Sequence, residues 1–213
     1  QLNGVSISYF ENGNISNKVE YSNGQIRGKW EAWYESGGIN YKGIKFGNSF
    51  VDTLWVYYNN GQFERICLYK DGKLNGNFFT YYQNGIKMGE FQYKDDKIEG
   101  PVFKFYENGT LAETGPYLNN FKEGLWKSYY PDGKIYSEGN FQMDKFEGLW
   151  KVYHNNGNLK QLGEYKDGLS EGEWTFYHEN GKISEKGMYI KDKKEEKWIV
   201  YSNKGKKLKI ENY

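Results

Sequence analysis

Two histidines, a column of regularly spaced glutamates and one cysteine are the residues of this 213-residue chain best equipped for chemistry. His154 and His178 stand 24 residues apart, so a repeating structure would make them neighbours, and two imidazoles could begin a metal site. Zinc asks for three or four convergent ligands, and no third is near, so the pair reads as polar aromatics in positions that other segments give to tyrosine. Glu99, Glu123, Glu147, Glu171 and Glu195 recur at the same step and could pair as general acid and base. Standing one per repeat beside turns, they read instead as a solvated ladder. Cys67 is alone, which excludes an intrachain disulfide framework and a cysteine-cluster zinc site. A Ser-His-Asp set on a strand-turn-helix, a phosphate-cradling glycine loop before a helix and a helical zinc motif are all missing. No catalytic, metal or cofactor-binding residue is assigned, and the chain is expected not to be an enzyme.

The elements that must carry these residues follow from composition. Aromatic residues make up 19% of the chain against 37% hydrophobic in total, with 27 Gly and only 3 Pro, which favours strands joined by glycine turns over helices. A mean hydropathy of -0.94 without a long apolar run excludes a helical membrane span. The balance of 29 basic to 28 acidic residues argues against a nucleic-acid partner held by bulk charge.

Glycine recurs at Gly13, Gly37, Gly61, Gly85, Gly109, Gly133, Gly157, Gly181 and Gly205, always 24 residues apart. This defines units beginning at residues 5, 29, 53, 77, 101, 125, 149, 173 and 197, in one repeat domain spanning 1–213. Asn precedes most of these glycines, as in Asn60-Gly61 and Asn84-Gly85, and Asn-Gly predicts a two-residue type I′ hairpin turn. A second turn lies eleven residues further on. The expected fold is an all-β, elongated, open antiparallel meander of stacked hairpins, which at about 4.8 Å per strand would extend roughly 80 to 90 Å before twist and curl.

With Asn and Gly as the turn, the residue seven before the glycine faces the one six after it. That sets Trp30, Trp126, Trp150 and Trp174 opposite Gly43, Gly139, Gly163 and Gly187, each indole covering the glycine of its own hairpin. Leu54 pairs with Cys67 and Phe78 with Phe91, trading volume; Val102 with Gly115 and Trp198 with Glu211 break the rule. Asp52 stands where other units place an inter-unit glycine, and local irregularity is expected over residues 46–56.

The string from Gly124 to Phe141, Gly-Leu-Trp-Lys-Ser-Tyr-Tyr-Pro-Asp-Gly-Lys-Ile-Tyr-Ser-Glu-Gly-Asn-Phe, recurs from Gly148 and Gly172 and resembles the bacterial variant of the MORN repeat, as found in the YwqK family of antitoxins. The resemblance covers residues 5–213, with the first and last units as atypical caps. It implies a repeat scaffold without catalytic residues, and an antitoxin or immunity protein that occludes a cognate toxin.

Four residues before each turn glycine stands an aromatic, on the face away from the Trp-Gly pairs. In three consecutive units the residue two earlier is aromatic as well, giving Trp55, Tyr57, Phe79, Tyr81, Phe103 and Phe105 as a six-residue patch and the candidate partner-binding site. A bulge after Asp52 that turned Trp55 inward would remove it from that face. The expected partner is a protein such as a toxin, with no nucleic acid and no cofactor. The other reading is a secreted or surface-associated protein whose aromatic rows bind carbohydrate or lipid, helped by the eight lysines between Lys191 and Lys209; those lysines also suit protection of a sheet edge. The chain opens at Gln1 without a signal peptide, so it has been processed, trimmed or excerpted. The compartment is left open: cytoplasmic for an antitoxin, extracytoplasmic if Gln1 is a processed end.

Overall fold

The computed structural model describes all 213 residues and is all-β, every strand paired antiparallel to its neighbour. The chain divides into two compact units, Gln1–Gly109 and Thr110–Tyr213. The first holds β1 (Gly4–Tyr9), β2 (Ile15–Ser22), β3 (Gln25–Trp33), β4 (Ile39–Phe46), β5 (Ser49–Phe50), β6 (Asp52–Tyr57), β7 (Phe63–Lys70), β8 (Lys73–Tyr81), β9 (Lys87–Lys94), β10 (Lys97–Ile98) and β11 (Gly100–Phe105). The second holds β12 (Leu111–Leu118), β13 (Phe121–Lys122), β14 (Gly124–Tyr129), β15 (Ile135–Gln142), β16 (Lys145–Tyr153), β17 (Leu159–Lys166), β18 (Leu169–Tyr177), β19 (Ile183–Ile190), β20 (Lys193–Tyr201) and β21 (Lys207–Asn212). Each unit is an open meander in which sequence neighbours pair, and the 24-residue period runs through both.

The two kinds of turn are the reverse of what Asn-Gly suggests. At the period-marking glycines only Gly takes a positive φ, as at Gly133 (86°), and the preceding Asn or Asp does not. Gly133 N–H donates to Tyr130 C=O, and Tyr130 N–H to Lys134 C=O, which is a type I turn closed by a G1 bulge. The bulge explains why Tyr129, not Tyr130, faces Ile135. The type I′ turns are the others: Asn23-Gly24, Asp71-Gly72 and Asp167-Gly168 have positive φ at both residues. Asn before the marking glycine serves hydrogen bonding. Asn60 Oδ1 accepts Gln62 N–H at 3.0 Å, and its Nδ2 donates to Gln83 C=O in the next repeat at 2.8 Å.

The hairpin register is as expected: Trp126 faces Gly139, Trp150 faces Gly163 and Trp174 faces Gly187. The indoles, however, do not cover those partners. Trp150 lies on Gly139, Trp174 on Gly163 and Trp198 on Gly187, each on the glycine of the preceding repeat. The cause is the bulge between repeats, where Gly148, Leu149 and Trp150 stand opposite Gly139 alone. Bulging swings the indole across the ladder, and its N–H donates to Asn140 C=O at 3.0 Å, the carbonyl beside the covered glycine. Trp174 reaches Glu164 C=O and Trp198 reaches Met188 C=O in the same way. The two exceptions disappear: Gly115 lies under Trp126, and Trp198 has Gly187 beneath it. Trp126, Trp174 and Trp198 are 2%, 2% and 0% exposed. In the first unit the same face is filled by Leu54, Val56 and Cys67, packed by Tyr41, Phe50, Tyr69, Leu74 and Phe78.

Successive repeats are tied by further bonds at fixed offsets. The Tyr34, Tyr58 and Tyr82 hydroxyls donate to the carbonyls of Tyr57, Tyr81 and Phe105. Glu123, Glu147 and Glu171 accept the turn N–H groups of Met143, Asp167 and Lys191. This part of the glutamate column is therefore structural, each carboxylate satisfying a turn amide of the next repeat, where a solvated ladder was expected.

The irregularity expected over residues 46–56 is present, since the strand is broken at Val51 into β5 and β6 and the Gly47-Asn48 turn takes a positive φ at Gly47 alone, but Asp52 itself holds the backbone conformation of its repeat position. It adopts φ 80°, the conformation that Gly100 and Gly124 hold at the same point in their repeats, and its Oδ1 accepts Thr53 N–H at 2.7 Å. Glu196 does the same with φ 59° and has no such side-chain bond. Left-handed geometry costs an L-residue about 1–2 kcal/mol, so Glu196→Gly is expected to stabilise by about 0.5–1 kcal/mol after the added chain entropy of glycine. Asp52→Gly gains less, because it gives up the Thr53 bond. Chemical denaturation of the two variants checks the order.

Candidate functional site

The face opposite the indoles is read along the ladders. Alternation puts Leu54 and Val56 inward and Trp55 and Tyr57 outward on β6, so Trp55 keeps the outer face. Direct partners then extend one row across the first unit: Lys42, Trp55, Ile66, Phe79, Glu90 and Phe103. Three candidate residues share this row, and the return strands β7 and β9 set Ile66 and Glu90 between them. Tyr57, Tyr81 and Phe105 stand two residues along the same strands, nearer the turns.

Packing gives this face its own small cluster. Phe63, which the residue pattern did not single out, lies between Tyr57 and Tyr81 with ring centroids at 4.9 and 5.9 Å. Its signal was available, since an aromatic two after the turn glycine, where other repeats mostly carry Ile or Leu, crosses to the candidate column once the G1 bulge is recognised. Lys42 Nζ lies 5.4 Å from the Trp55 ring centroid and 5.6 Å from that of Tyr57, and Lys87 Nζ lies 4.8 Å from that of Phe79. Such cation–π contacts contribute about 0.5–1 kcal/mol at exposed sites. Lys87 also pairs with Glu90 at 2.9 Å. Tyr57 is 8% exposed, and the other five candidates are half-buried. The result is a set of rings held in place by neighbours, with lysine stems laid across them.

The corresponding row in the second unit has a different character. Lys127, Glu138 and Lys151 face one another in turn, with Nζ–carboxylate distances of 3.6 and 3.5 Å. Burial raises the Glu138 carboxyl, but the Tyr153 hydroxyl at 2.9 Å and the two ammonium groups outweigh it and hold its pKa below the usual value. Desolvation, followed by that carboxylate, pushes Tyr153 up to about 12. The same row thus carries the alternation Lys18, Glu31 and Lys42 followed by the aromatics in Gln1–Gly109, and Lys127, Glu138 and Lys151 followed by Leu162, Thr175, Lys186 and Ile199 in Thr110–Tyr213.

His154 and His178 occupy the tyrosine column. Their Nε2 atoms lie 2.9 and 3.1 Å from the carbonyls of Tyr177 and Tyr201, each doing the work of a Tyr hydroxyl, and no group of three or more His, Cys, Asp or Glu is placed to hold a metal. His154→Tyr is expected to leave the thermal midpoint unchanged. His154→Leu should cost about 1 kcal/mol, the net worth of one hydrogen bond, and Tyr58→Phe a similar amount; paired melts test both. Cys67 is buried and burial raises its thiol pKa, opposite to the shift that makes a reactive thiolate.

No curated protein matches the sequence. Among solved structures the chain is similar to the crystal structure of TcdB2-TccC3, at 10% identity over 92% of this chain and 14% of that chain, with a TM-score of 0.19. A likeness of that size carries no argument about fold or role. The MORN repeat variant, in contrast, matches six segments, residues 2–23, 74–95, 98–119, 122–143, 146–167 and 170–191. Those segments make up more than half of the chain and share the hairpin period traced in the structure, so the chain belongs to the MORN repeat variant family.

Proposed function

We propose that this MORN-repeat scaffold binds a protein partner through the outer aromatic face of Gln1–Gly109, and that it acts as an immunity protein by occluding the partner's active surface. The observation that carries the reading is the run of three aromatics on successive outgoing strands of one row. Trp55, Phe79 and Phe103 stand at a position that other repeats give to Glu31, Lys127, Lys151 and Thr175. Pre-positioned aromatic rings with a polar surround suit a binding hot spot, because little side-chain entropy is lost on association. Occlusion needs no catalytic group on the scaffold.

The test uses the row's own vocabulary. Phe79→Lys together with Phe103→Lys installs residues that the second unit carries at Lys127 and Lys151, so the fold should survive. Wild type is expected to retain one stoichiometric protein from the source organism, and to restore growth of cells expressing that protein. The double variant should bind it at least about 100-fold more weakly, since each hot-spot loss is typically about 2 kcal/mol or more. A folded double variant that still binds and still protects would sink the proposal.

A further inference from the structure

The second unit has a separate feature on its indole face. Two aromatic walls leave a cleft of about 330 Å³ between consecutive repeats, lined by Trp150, Phe146, Phe141, Ser128, Ser137 and Gln161 among others. Its origin is a local choice of small residues. The position of Ser128 holds Ser8, Ala32, Thr80 and Lys104 in four repeats, Val56, Val152 and Val200 in three, and Phe176 in one, where the ring fills the equivalent space 6.1 Å from Trp174 and 6.2 Å from Trp198. With Ser128 facing Ser137, that volume stays empty.

The lining is amphipathic in a specific way. Phe141, Phe146 and Tyr165 lie in a tilted row, 4.9 Å from ring to ring, edge-on to Trp150. The Ser128 and Ser137 hydroxyls are 2.6 Å apart; one proton joins them, which leaves the other proton and several lone pairs for a ligand. The Gln161 amide is half-buried with no side-chain hydrogen bond in the protein. Charge at one end is neutralised, because Lys122 pairs with Glu113 and lies over Trp126 and Phe141.

We propose that this cleft binds a single uncharged pyranose ring, independently of the protein-binding face. A pyranose presents a C–H face that packs on aromatic rings and a rim of hydroxyls that both donate and accept. The cleft is lined by aromatic rings together with hydroxyl and amide groups, and the charged side chains on it, Lys122, Glu113 and Lys127, are paired, leaving no free charge to select an ion. Its volume is at the small end of ligand clefts, which run from roughly 300 to 1,000 Å³, and suits one sugar ring.

The test is tryptophan fluorescence of the purified chain titrated with methyl glucoside, methyl galactoside and N-acetylglucosamine, with N-acetyltryptophanamide and choline as further probes. At least one of the three sugars should quench saturably. Ser128→Val fills the cleft with a residue that other repeats carry, and Gln161→Leu removes the free amide. Each should weaken binding about tenfold or more, equivalent to about 1.4 kcal/mol, with Ser128→Val keeping or raising the thermal midpoint. Phe79→Lys with Phe103→Lys should leave sugar binding intact, which separates this site from the protein-binding face. No quench by any of the three sugars, saturation by N-acetyltryptophanamide or choline alone, or unchanged sugar affinity in Ser128→Val would overturn it.

Discussion

Gly163→Ala should destabilise the protein by about 2–4 kcal/mol, at or above the range for overpacking a filled core. A β-carbon at Gly163 would collide with the Trp174 indole, and that ring has no room to retreat: it is 2% exposed, and its N–H is held by Glu164 C=O. A double-mutant cycle tests the assignment directly. In a Trp174→Leu background the alanine should cost little, because Leu54 over Gly43 shows how leucine spans this place, its Cδ1 lying 3.2 Å from where a β-carbon would sit. Gly187→Ala should couple to Trp198 and add independently to Trp174, although Gly187 is the backbone partner of Trp174. Urea unfolding of the four single variants and the paired doubles decides the matter. Coupling between Gly187 and Trp174 would mean that the cover runs within hairpins after all.

The second large effect is loss of an indole itself. Trp198→Ala and Trp126→Ala should each cost about 3–5 kcal/mol, the range for emptying a buried Trp site. Three contributions vanish together: the apolar burial, the N–H bond to Met188 or Pro116 C=O, and the ammonium of Lys194 or Lys122 over the ring, at 3.9 and 4.0 Å from the centroids. Trp30→Ala should cost about half as much on the same scale. Trp30 keeps an ammonium over its ring, Lys45 Nζ at 3.3 Å, but it is half-buried, faces Val19 where a glycine would be needed beneath it, and has only a 3.4 Å contact from its N–H to Asn17 Oδ1. Calorimetric midpoints for the three variants give the comparison, and equal losses would show that the glycine seat adds nothing.

Both results bear on the proposed sites. The outer aromatic row and the cleft are each held by repeat-to-repeat bonds of the same kinds, so a variant that loosens the indole column away from the cleft, as at Trp174 or Trp198, weakens binding through order rather than contact, whereas Trp126 and Trp150 line the cleft directly. The lysine, valine and tyrosine replacements at Phe79, Ser128 and His154 avoid this difficulty, because each installs a residue that another repeat already places in the same column.

The sequence by itself determined the period, the strand-and-turn class and the pairing within each hairpin. These are local properties: a turn every twelve residues and a two-residue alternation permit one register, and slipping it would turn the indoles to the other face. The outward row of Trp55, Phe79 and Phe103 was legible for the same reason. What passes between hairpins was not. Which glycine an indole covers depends on the bulge that swings Trp150 across the ladder. Which turn is type I′ depends on the φ of Asp71 and Asn23, and the use of Glu147 depends on the amide of Asp167, twenty residues away, arriving beside it. The contact of Phe63 with Tyr81, and the space beside Ser128, likewise exist only once adjacent repeats are docked. Parity along a strand fixes a side chain's face, while the lean and twist of stacked strands fix its neighbour, and that second choice is made by tertiary structure alone.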